Sequence, residues 1–124
     1  MDIDIPEVVA EVTTAFESYE RALIENDVAA LNRFFWNDDR ALRYGIGEQL
    51  YGHSAIAAYR AALATDTRPR DIPHREIHTF GRDFAVANIE FTRPGMTTVG
   101  RQTQTWARIS DSWCIVAAHV SLMH

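Results

Sequence analysis

The chain has almost no cysteine. Cys114, inside the apolar run WCIVAAHV, is the single thiol in 124 residues. One thiol forms no intrachain disulfide, and the histidines supply no Cys/His zinc spacing. A buried core thiol is the expectation for Cys114. Internal repeats, low-complexity tracts and linkers are missing too. No stretch of 18 apolar residues is present to span a membrane. The N-terminal MDIDIPEVV is acidic and lacks the basic-then-apolar order of a secretory signal. A cytoplasmic location is therefore expected. Positive charge is in the minority: Lys and Arg number 12 against 17 Asp and Glu, a formal net charge of −5. That balance argues against nucleic acid or an anionic membrane as partner. It leaves room for a local basic pocket that holds a small acid.

What remains is an ordinary globular composition, 47% hydrophobic and 23% charged, long enough for one core without staples. A single domain over residues 1–124 is expected. Ile5, Val8, Val9, Val12, Phe16, Tyr19 and Leu23 recur at spacings of three and four and form one stripe of a long helix. Asp4 and Pro6 sit where helices begin. Asn26-Asp27 breaks the pattern, and Asp27 can cap a short second helix through VAALNRFFW. RALRYGI and EQLYG read as two short strands joined around Gly45–Glu48. A third helix, SAIAAYRAALAT, follows Gly52-His53, and Thr65–Pro73 reads as a loop. REIHTFG, DFAVANIEFTR, TVGRQTQTWARI and SWCIVAAHVSL are strand-like runs separated by the turn words GRD, PGM and SDS, a meander. Helices grouped before antiparallel strands indicate an α+β fold. A curled sheet with the long helix across its concave face leaves a blind pocket.

That order of elements resembles the nuclear transport factor 2-like fold, the cone-shaped, SnoaL-like, cystatin-like roll shared by ketosteroid isomerases and scytalone dehydratases. The local words are more specific. PEVVAEV, YERAL followed by ND, FFW, RYGIGEQLYG, GRQTQTW and WCIVAAHVSLM together resemble the AtzH-like family, which includes HpxZ-type proteins linked to oxalurate breakdown. The resemblance spans residues 6 to 123. It implies, in at least one branch, a decarboxylating amidohydrolase that turns 1,3-dicarboxyurea into allophanate. Other branches accompany amidases of ureide catabolism.

Two residues carry the chemistry that this resemblance implies. Arg43, in RYG, has the planar fork that grips a carboxylate through two parallel hydrogen bonds. The structural alternative is a solvated strand arginine, or one paired with Asp38 or Asp39. Tyr19, in YERAL, points inward on the helix stripe. A buried tyrosine is ordinarily core with one hydroxyl partner, but a neutral phenol can also polarise a carbonyl or pass a proton to nitrogen. Trp36, Trp106 and His119 are further candidates for lining a substrate pocket. On the last strand, alternation puts Trp113, Ile115, Ala117, His119 and Ser121 on one face. No metal is expected, because His74 and His78 fall on an extended segment, and no cofactor is expected either. Asp38 and Asp39 sit in a polar loop, so no buried acidic base of the isomerase kind stands out.

The leading expectation is thus an enzyme for a small carboxylated urea, built on Tyr19 and Arg43. Two others stand beside it: a non-catalytic ligand-binding accessory of a pathway amidase, and an isomerase or cyclase for a bulkier apolar substrate. A homodimer through the outer face of the sheet is expected from strands that are apolar on both faces.

Overall fold

A computed structural model describes residues 1–63 and 69–124. Helix α1 (Pro6–Glu25) and helix α2 (Val28–Phe34) come first. Strands β1 (Leu42–Tyr44) and β2 (Gln49–Tyr51) follow, then helix α3 (His53–Ala62). Strands β3 (Asp71–Phe80), β4 (Phe84–Thr92), β5 (Gly100–Ile109) and β6 (Ser112–Leu122) complete the chain. The fold is α+β: three helices against a curved, unclosed six-stranded sheet of order β2-β1-β6-β5-β4-β3. Every pair is antiparallel except β1 with β6. That one parallel pair makes the sheet mixed, and the two short strands extend the long meander at the β6 edge.

The stripe forms α1 as its spacing predicts. Val8, Val12, Phe16 and Tyr19 are buried, and each such apolar side chain contributes about 1.5–3 kcal/mol by leaving water. Pro6 stands in the first turn, where its missing N–H costs nothing. Asn26 ends α1 in the left-handed conformation, and Asp27 caps α2 by accepting the Ala30 N–H. Asp4 does not cap α1. It accepts the Thr79 N–H instead and ties the N-terminus to β3. Glu20 is buried within α1 although the stripe pattern leaves it out. The loop expected over Thr65–Pro73 is partly replaced: Asp71–Pro73 already belong to β3, and residues 64–68 lie outside the described residues.

The last strand departs from simple alternation. Thr105 pairs with Ala117 but Trp106 pairs with Ile115, so Val116 is an extra residue. Such a bulge reverses which side chains face in. Ile115 is fully buried on the helix side, while His119, four residues on, is exposed. Ala118 and Val120 face the concave side in its place. The shared face expected for Ile115 and His119 is therefore split by the bulge.

Candidate functional site

The concave side holds a cavity of about 280 Å³ between the sheet, α1 and α3. All twelve basic residues of the chain are arginines. Among the described residues, four of them, Arg43, Arg60, Arg70 and Arg93, line this one cavity together with a single carboxylate, Glu48. An acidic chain thus concentrates positive charge in one recess.

Arg43 stands at the β1 end. Its Nη1 donates to Glu48 Oε1 at 2.6 Å across the β1–β2 turn, and its guanidinium lies 5.3 Å from the centre of the Tyr59 ring. Of the two alternative partners, Asp38 pairs with Arg40 instead. Gly45 makes the ion pair possible. A Cβ there would fall 1.6 Å from Glu48 Oε1 and 2.8 Å from Arg43 Nη1. Burial pushes the Glu48 carboxyl up. The Arg43 hydrogen bond and charge, the Gly47 N–H and the Tyr59 hydroxyl outweigh it, so the carboxyl titrates below its ordinary range.

Tyr19 reaches the cavity from α1. Phe34, Phe35 and Trp106 hold its ring in edge-on contacts at 5.9, 6.2 and 6.5 Å between centroids. Arg60 Nη2, from α3, donates to the Tyr19 hydroxyl at 2.7 Å. Arginine only donates, so the phenol oxygen accepts there and its own proton remains available to an acceptor in the cavity.

The third group comes from the residue just before β3, from α1 and from β5. Arg70 binds both carboxylate oxygens of Glu20 and donates to Gln102 Oε1 at 3.2 Å. The side chains of Arg70 and Glu20 are nearly sealed from solvent. The Arg70 guanidinium lies 4.6 Å above the Phe91 ring, and Arg93 lies 5.0 Å from the same ring.

Tyr19 and Arg43 are therefore brought to one cavity, and the other three candidates stand apart from it. Trp106 is fully buried behind the wall, donating to Gln104 Oε1 at 3.1 Å. Trp36 packs against the core beneath the Arg40 guanidinium, 4.8 Å from its ring centre. His119 lies on the outer face, edge-on to Tyr44 at 5.5 Å. It borders a broad, shallow depression whose charged groups His74, Glu90 and Arg101 are all exposed. We take the enclosed recess as the candidate site because its guanidiniums converge and are shielded from solvent. Sequence reasoning missed Arg60, Arg70 and Glu20, and it placed Gln102 only on a strand whose mixed faces could touch both pocket and interface. Arginine inside an alanine-rich helix was the one available signal for Arg60. Among the described residues, no group of three or more His, Cys, Asp or Glu is placed to hold a metal ion. No described helix is long and apolar enough to cross a membrane.

A curved sheet wrapped around a one-sided pocket under three helices defines a nuclear transport factor 2-like, cystatin-like fold. A nuclear transport factor 2-like superfamily protein from Salmonella enterica superposes with TM-score 0.80 at 23% identity, covering 95% of this chain and 92% of that one. The chain belongs to the AtzH-like family, whose model matches residues 1–124. A Pectobacterium atrosepticum protein of unknown function from the DUF3225 family is 49% identical, with TM-score 0.95 over 99% of this chain and 96% of that one. A cystatin-like fold protein from Burkholderia xenovorans is 46% identical, with TM-score 0.93 over 99% and 97%. No curated protein matches the chain.

Proposed function

We propose that the chain is a small-molecule enzyme of ureide or s-triazine-type nitrogen catabolism, a decarboxylating amidohydrolase for a small carboxylated urea such as 1,3-dicarboxyurea. The observation that carries the reading is the meeting of Arg43 and the Tyr19 hydroxyl in one arginine-lined cavity. Arg43 anchors a substrate carboxylate and sets its orientation. The Tyr19 O–H donates its proton to the urea nitrogen as the bond from that nitrogen to the other carboxyl carbon breaks. The bonding electrons go to nitrogen, carbon dioxide leaves, and the product is allophanate. Water then returns a proton to the phenol oxygen. The Arg60 guanidinium, already bonded to that oxygen, stabilises the negative charge that develops on it.

The test is to incubate the purified chain alone with 1,3-dicarboxyurea and follow carbon dioxide and allophanate. Turnover by the chain, cut at least about tenfold in Tyr19→Phe and Arg43→Lys, supports the reading. Tight binding with no turnover overturns it in favour of an accessory ligand-binding role beside an amidase.

A further inference from the structure

The cavity has a second polar end, away from Arg43 along the sheet. Arg43 is on β1 and Gln102 on β5, with β6 between them. Arg43 lies across Ala118 from Gln104, and Gln102 is two residues further along β5, so their backbones stand roughly 12 Å apart, two interstrand spacings across and two residues along. The floor between the two ends is apolar: Ala118 of β6 pairs with Arg43, and Val120 pairs with Gln102. Tyr19 and Arg60 enter from the helices above.

At this far end the orientation of one amide is fixed. Arg70 carries only donors, so the Gln102 oxygen must face it, as the 3.2 Å contact shows. The Gln102 Nε2 is thereby turned to the other side. It is buried and has no hydrogen-bond partner among the described residues. Gln102 as a whole is 6% exposed, and the Arg70 side chain 2%. The support beneath is rigid. Glu20 grips Arg70 at two points, and the Phe91 ring centre lies 4.6 Å from its guanidinium carbon. Gly100 allows that packing, since a Cβ there would meet the ring at 2.2 Å. A second buried donor, Arg60 Nε, also lacks a partner among the described residues and belongs to the same lining. Buried donors are rarely left unsatisfied in a well-built wall, and two around one cavity point to an absent acceptor.

We propose that Gln102, held by Arg70, is a specificity-determining residue that receives the second carboxylate of the ligand, so that the site selects small dicarboxylates reaching from Arg43 to Gln102. The inference rests on the proposed function only for the identity of the ligand as a carboxylated urea. Its geometry asks for two carboxylates whatever reaction follows.

The experiment is calorimetric titration of the purified chain with malonate, succinate and glutarate, each against the monocarboxylate of equal length (propionate, butyrate, valerate). At least one dicarboxylate is expected to bind about tenfold tighter than its partner or better. Absence of any such preference in the unaltered chain overturns the proposal, and needs no variant to fold. Gln102→Glu keeps an oxygen for Arg70 but sets an anion where the donor stood. It is expected to reduce the preference to within about twofold, with dicarboxylate affinity falling more than monocarboxylate affinity. An undiminished preference in that variant also overturns the seat. If the chain prefers dicarboxylates through Gln102 but releases no carbon dioxide from 1,3-dicarboxyurea, the seat stands and the proposed reaction falls. If it decarboxylates while Gln102→Glu keeps the preference, the reaction stands and the seat falls.

Discussion

Arg60 donates to the Tyr19 hydroxyl at 2.7 Å, from α3 to α1, inside the protein. The bond determines what the phenol can do. Its oxygen accepts from a cation on one side, so its proton is offered to the cavity on the other. The three aromatic rings around Tyr19 restrict its swing. Arg60 is in this sense a positioning residue for Tyr19.

Tyr19→Phe tests the hydroxyl with the ring left in place. The aromatic contacts persist, so the far-UV circular dichroism is expected to stay native. The Arg60 Nη2 loses its acceptor in a buried setting, which costs about 1–3 kcal/mol of stability in urea unfolding. Turnover is expected to fall at least about tenfold. A variant that is folded and fully active removes Tyr19 from the chemistry.

Arg43→Lys keeps the charge and loses the fork, so carboxylate affinity and turnover are both expected to drop by about tenfold or more. Gly45→Ala reaches the same site indirectly. Its Cβ claims the position of the Glu48 carboxylate, 1.6 Å away. Glu48 is the end of a flexible side chain and can move, so stability should change by less than about 1 kcal/mol. The Arg43 guanidinium then loses the partner that orients it. Weakened ligand binding at unchanged Tm is the expected signature, and unchanged binding would detach Glu48 from the site.

Much of this was open to reading in the residue order, and the limits have physical causes. The α1 stripe and the three turn words of the meander are local, so periodicity and turn chemistry reveal them. The partnerships of the cavity are not local. Tyr19 meets Arg60 41 positions away, and Glu20 meets Arg70 50 positions away. Nothing in a helix stripe tells that Glu20, one residue past Tyr19, turns inward to a guanidinium. The bulge at Val116 hides for a similar reason. Every residue of that run is strand-like, so simple alternation runs through it and puts Ile115 and His119 on one face, which the bulge splits. Arg43 and Tyr19 stood out through words of the family. Their presence in one cavity appears only when β1 is laid beside β6.

Gly100→Ala probes the packing beneath Arg70. Phe91 is fully buried and pairs directly with Gly100, and the new Cβ would approach the ring to 2.2 Å. A ring enclosed on all sides cannot swing away as Glu48 can. A loss of about 1–3 kcal/mol in denaturant unfolding is expected, as for other overpacked cores. A neutral result would show that the β4–β5 ladder yields there.

The outer face of the sheet is the proposed surface for pairing two copies. Val86, Thr105 and Ala117 form one row across it, half-buried in the single chain. Asn88, Thr103 and His119 form the next row and are exposed. Light scattering is expected to give twice the chain mass of 14.1 kDa. Ala117→Arg, a large charge in the middle of that face, should shift the mass to one chain. A single-chain mass for the unaltered protein would remove the pairing.

The last prediction concerns the N-terminal strap, where Asp4 N–H donates to the Thr79 carbonyl and Gly81 N–H to the Asp2 carbonyl. Asp4 also accepts from the Thr79 N–H and bonds His78 Nδ1 at 2.9 Å. Glu76 lies between His78 and His74 on the same strand. The Asp4 carboxyl is lowered from 3.8, by the His78 hydrogen bond first and the Thr79 N–H second. The Glu76 carboxyl is lowered from 4.5, by His74 and then His78. The imidazole of His78 is raised from 6.5, chiefly by Asp4 and then Glu76. His74 is raised from 6.5, chiefly by Glu76. The carboxylates stabilise the strap above their unfolded values and lose that contribution as pH falls through the lowered ones. The imidazoles stabilise it below 6.5 and lose their contribution as pH rises through the raised values. The strap is therefore held best between 4.5 and 6.5. All four groups are exposed to water, so salt should flatten the profile. Amide exchange at Asp4 and Gly81, corrected for intrinsic rates, reads it directly. His78→Gln should weaken the loss of protection on the alkaline side and also shrink the acid limb, because the His78 hydrogen bond is the first cause of the lowered Asp4 carboxyl, leaving on that side the part due to the Thr79 N–H and to His74 on Glu76. An alkaline limb unchanged in that variant would place the pH dependence elsewhere.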